Sequence, residues 1–186
     1  MAVCLSEYYQ GGKDRSVYKL VPTRTSFGHT NRHNLRAIGK SITSLAYGIA
    51  LQPGKVPALA SSVVAAYRGF SDIATDAKRA ITTESIFNMA NGLQWQEGGA
   101  LLNDELRLFW KRDVARYVLS HDLVLAPGNR FNYNGGGTAI LADLIYRGSG
   151  QQVDAFVSSR LFEPLGVHDW EWVGDVHGRP MAFNGL

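Results

Sequence analysis

Residues 34–55, NLRAIGKSITSLAYGIALQPGK, constrain the fold more than any other stretch of the chain. From Arg36 to Leu51 the pattern is helical: Ile38, Leu45 and Ile49 recur among small residues, which suits a helix packed on more than one side. Pro53 and Gly54 stop it, because together they mark a turn. Gly39-Lys40-Ser41 inside this helix raises a phosphate-loop reading. That motif needs glycine at position 34, where Asn34 stands, and a strand-like run ahead of it, which is missing. The alternative is a nucleophile helix. A serine and a lysine three residues apart share one helical face, so the amine can take the hydroxyl proton. Lys40 stands in the lysine position, and Ala37 stands where the serine would be.

The rest of the chain reads as mostly helical, with β signal near the two ends. Residues 2–9 (AVCLSEYY) are strand-prone and residues 10–35 irregular. One or two short helices are expected over 57–80. Another starts at Thr82-Thr83-Glu84, with threonine as N-cap, and runs to Gly92. Residues 103–119 predict an amphipathic helix burying Leu106, Phe109, Trp110, Val114, Tyr117 and Val118. Two further helices are expected over 137–147 and 151–162, and short strands at DWEWV and RPMAF. Two or three weak strands are too few for an independent sheet.

Bulk properties exclude several functions. The 186 residues carry a net charge of +3, dispersed rather than striped, which argues against nucleic-acid binding. Cys4 is the single cysteine, so neither an intrachain disulfide nor a cysteine-based zinc site is expected. His29 and His33 have i,i+4 spacing but no Glu between them, and they read as surface residues. Asp104, Glu105 and Asp113 read as a solvated helix face. Without a signal-like start or a long apolar run, a cytoplasmic protein with no membrane partner is expected.

Four segments, taken in order, carry a resemblance. HNLRAIGKSITSLAYGIALQPGKVP, ITTESIFNMANGLQW, PGNRFNYNGGGTAILADLI and RLFEPLGVHDWEW resemble segments of the β-lactamase-related serine hydrolases. That group includes class C β-lactamases, DD-peptidases, family VIII-type esterases and 6-aminohexanoate-dimer hydrolases. The resemblance implies an α/β (α+β) fold of the β-lactamase/transpeptidase type: here an incomplete antiparallel sheet with a largely helical domain. It implies one domain over 1–186, C-terminally truncated, with a nucleophile-helix region at 36–56, a helical region at 57–166 and returning strands at 167–186. Lys40 matches the general-base lysine and Tyr133 the motif tyrosine. Asn134 and Gly135 follow as substrate-binding positions. Neither cofactor nor metal is implied.

Three departures accompany the resemblance. Ala37 vacates the nucleophile position, Gly135 replaces a polar residue, and no later segment reads as the family's [Lys/His/Trp]-x-Gly strand. The implied activity is hydrolysis of a small amide or ester through an acyl-enzyme. With Ala37 in place, the alternative is a non-catalytic pseudoenzyme or binding module of the same fold. An unpaired sheet edge would favour a homo-oligomer.

Overall fold

The computed structural model describes residues 13–14, 23–24, 32, 34–97 and 103–186. The strand expected at 2–9, Cys4, and the His29/His33 pair lie outside them. The chain divides into two units, Met1–Asn34 and Leu35–Leu186. In the first, β1 (Lys13–Asp14) pairs antiparallel with β2 (Thr23–Arg24), in the register Lys13 to Arg24 and Asp14 to Thr23.

The second unit is built around two helices. Helix α1 (Ile38–Leu51) buries the small or short residues Gly39, Thr43, Ala46 and Ala50, together with Tyr47. Ile38 and Leu45, expected in the core, are 55% and 54% exposed. Small residues face inward because a neighbouring backbone comes close. At Gly148, on the helix packed against α1, an added Cβ would lie 1.7 Å from the Lys55 carbonyl oxygen in the turn that ends α1. The turn itself closes with Gly54 N donating to Leu51 O at 2.9 Å and Lys55 N to Ala50 O at 3.1 Å.

Between them, α2 (Asp76–Arg79) and α3 (Thr83–Phe87) are single turns. Thr82 caps α3 as expected, its hydroxyl accepting from Ser85 N at 3.1 Å. The helix ends at Phe87, short of Gly92. The expected 103–119 helix is two helices, α4 (Asp104–Leu108) and α5 (Val114–Ser120). Asp113 breaks it by capping the second, its carboxylate accepting from Arg116 N at 2.8 Å. The break turns Leu106 and Trp110 outward, 36% and 57% exposed, while Leu108 and Val118 are buried.

Helix α6 (Gly135–Ser149) is the central element. Every residue from Gly135 to Leu141 is buried, with Leu144 and Ile145. A stretch apolar on all sides, as the first two turns of this helix are, belongs in the middle of a core. It packs against α1, α3, α4, α5 and α7 (Val153–Val157).

DWEWV and RPMAF do not form a strand ladder. One bridge joins Gly174, just past DWEWV, to Pro180. Two bonds flank it, Met181 N to Val173 O at 3.0 Å and Val173 N to Gly185 O at 2.8 Å. Met181, Ala182, Phe183 and Leu186 are buried, which brings this segment against α1. Thr43 Oγ1 donates to Ala182 O at 3.0 Å.

Candidate active site

The site begins where the chain enters α1. Arg36 has φ +48°, a left-handed conformation that costs a non-glycine residue on the order of 1–3 kcal/mol. Ala37 follows as N-cap and offers no side-chain acceptor. Lys40 N donates to Ala37 O at 3.0 Å, so the two lie one turn apart. Lys40 Nζ donates to Phe183 O at 2.7 Å and sits 4.8 Å from the centre of the Tyr133 ring. At that distance an ammonium is attracted to the ring face. Two residues 93 positions apart thus meet at the first turn of α1. Ser44 takes no part, its hydroxyl donating to Ser41 O at 3.0 Å.

Asn134 is buried, and its side chain caps α6 by accepting from Gly137 N at 2.9 Å. Its Nδ2 is buried without a partner among the described residues. Gly135 N donates to Glu97 Oε1. The same oxygen accepts from Trp95 Nε1 at 2.8 Å. A Cβ at Gly135 would lie 2.9 Å from Glu97 Oε1, 3.3 Å from Phe183 Cβ and 3.4 Å from Glu105 Oε2. Carboxylate oxygens therefore occupy the space a side chain at 135 would need.

Neither Glu97 nor Glu105 stood out in the sequence, and here the solvated-face expectation for Asp104 and Glu105 fails. Burial, then the hydrogen bond and charge of Glu97, push Glu105 up to about 7, against the opposing pull of Lys40. Asn184 Nδ2 lies 3.4 Å from its Oε1. Asp104 also faces inward. Burial raises its carboxyl, but hydrogen bonds from Gln96 N and the Tyr117 hydroxyl, with His121 beside it, hold it below the usual range. The signal that was available is the Asn103 cap: its Oδ1 accepts from Leu106 N at 2.8 Å, which sets where α4 starts and which way Glu105 points.

A cavity of about 370 Å³ lies between α5, α6 and the 175–183 segment. It excludes Lys40 and Tyr133, and four of its charged residues form two ion pairs, Arg147 with Asp143 and Arg179 with Asp175, both at 2.6 Å.

With the pairing of Lys40 and Tyr133 in view, the family can be stated. A family model described as Beta-lactamase matches residues 9–181. The chain belongs to the beta-lactamase family. Among solved structures, this beta-lactamase-family chain is similar to a Bacillus anthracis protein assigned as a 6-aminohexanoate-dimer hydrolase. Their TM-score is 0.68 at 16% identity, over 88% of this chain and 46% of that one. It is also similar to a D-stereospecific amidohydrolase from a Streptomyces species, with TM-score 0.57, 17% identity, and 78% and 46% coverage. A class C β-lactamase carrying a tyrosine-to-phenylalanine substitution gives TM-score 0.60, 14% identity, and 87% and 48% coverage. These likenesses establish a β-lactamase/transpeptidase-like fold. The chain spans about half the length of the solved relatives it matches. No curated protein matches it. No helix among the described residues is long and apolar enough to cross a membrane.

Proposed function

We propose that this chain is a β-lactamase-type hydrolase relative that holds a small amide or ester beside Lys40 and Tyr133 without forming an acyl-enzyme. The observation that carries the reading is the Lys40–Tyr133 contact beside a first turn whose residue 37 has only a methyl group. In the family's chemistry a hydroxyl at 37 would attack the carbonyl carbon. Its proton would pass to the lysine–tyrosine pair and on to the leaving group, and water would then release the acyl group. Ala37 removes the attacking atom and leaves the proton-transfer partners in place. That the solved relatives are described as an amidohydrolase, a dimer hydrolase and a β-lactamase is in keeping with a small acyl compound as the substrate.

Mass spectrometry after incubation with fluorophosphonate and penicillin probes tests the reading. The unaltered chain is expected to carry no adduct, and Ala37→Ser a slow one at the substituted position. An adduct on Ser41 or Ser44 of the unaltered chain would overturn it.

A further inference from the structure

We propose that Glu97 and Glu105 form a hydrogen-bonded carboxyl pair that takes the place of the side chain missing at Gly135 and serves as the positioning group of the Lys40–Tyr133 site. The inference rests on the ligand site proposed above, and it accounts for Gly135 in this chain. Glu97 Oε1 receives both the Gly135 N–H and the Trp95 indole N–H, which ties the start of α6 to the residue 95–97 segment. With 2.9 Å between that oxygen and an added Cβ, a side chain at 135 would push this carboxylate aside. Glu105 completes the group from α4: its Oε2 and Glu97 Oε1 lie 3.4 Å and 2.9 Å from the same point, the place of a Cβ on Gly135, and Asn184 Nδ2 lies 3.4 Å from its Oε1. Asn184 follows Phe183, whose carbonyl holds the Lys40 ammonium.

Two carboxyls this close favour keeping one proton between them. Glu105, pushed up to about 7, is the member that carries it. Among the described residues, the charged groups that act on Glu105 are Glu97 and Lys40 of α1. On α4 itself, Asp104 is engaged by Arg107 at 3.8 Å and by His121 of α5 at 3.5 Å. Loss of the shared proton places a second negative charge beside Lys40. The position of the ammonium between Phe183 O and the Tyr133 ring is then expected to change.

The experiment is an NMR titration of the full chain between pH 4 and 9, with labelled Glu carboxyls, Lys40 side chain and Tyr133 ring. One Glu carboxyl is expected to titrate near pH 7 and to vanish in Glu105→Gln. The Lys40 and Tyr133 signals should shift with the same midpoint. Glu97→Gln should lower that midpoint, and Gly135→Ala should displace it by pushing the Glu97 carboxylate aside. All Glu carboxyls of the unaltered chain titrating below pH 5, or Lys40 and Tyr133 signals blind to the neutral titration, would overturn the proposal. The titration reads no acylation, so it stands or falls apart from the probe experiment.

Discussion

The Lys40 ammonium lies 4.8 Å from the centre of the Tyr133 ring, although one residue sits at the start of α1 and the other two residues before α6. If this pair moves protons, it should matter only once an attacking hydroxyl is supplied. In an Ala37→Ser background, Lys40→Met and Tyr133→Phe are each expected to reduce the labelling rate by about 10²–10⁴-fold, the range typical of positioned acid–base groups. Timed probe labelling measures it.

Glu105 makes stability depend on pH. Its folded-state carboxyl is raised to about 7 from an ordinary value of 4.5, so between those values the folded state holds more protons than the unfolded state. The contribution of Glu105 to stability is therefore full below its ordinary value and is lost as pH rises through about 7. Solvent screening at this half-buried carboxyl limits the loss to about 2 kcal/mol. Urea denaturation at pH 5 and 8 should show the fall in the unaltered chain and a smaller one in Glu105→Gln.

Thr43→Val tests the seam between α1 and the C-terminal segment. The buried hydroxyl shares its one proton between Gly39 O and Ala182 O, both at 3.0 Å. Valine keeps the shape and leaves the Ala182 carbonyl unsatisfied, so a loss of about 1–3 kcal/mol in chemical denaturation is expected.

Gly148→Ala tests the approach of α6 to the end of α1. Propensity alone would make alanine stabilising in a helix by up to about 1 kcal/mol. Here the Cβ would lie 1.7 Å from Lys55 O, and that atom is backbone. The steric term wins, and the melting temperature is expected to fall by several degrees, in line with overpacking losses of about 1–3 kcal/mol.

Much of the architecture could be read from local pattern. The Pro53-Gly54 stop, the Thr82 cap and the apolar run of α6 each act within a few residues, and each appears where the sequence puts it. That residue 37 is an alanine is a matter of covalent identity. The pairing of Lys40 with Tyr133 was legible only through ordered motifs, since no local rule joins residues 93 apart.

Three-dimensional packing decided the rest. Periodicity offered both an apolar and a small-residue face on α1, and the close approach of α6 at Gly148 selected the small one, leaving Ile38 and Leu45 exposed. Glu105 read as part of a solvated helix face; folding brought it against Glu97, and its own burial with the charge of Glu97 raised its carboxyl. Sequence determined which groups exist and which local turns they favour. Which of them share a desolvated space was settled only when segments 8 to 143 residues apart packed together, because burial and Coulomb interactions depend on distance in space and not along the chain.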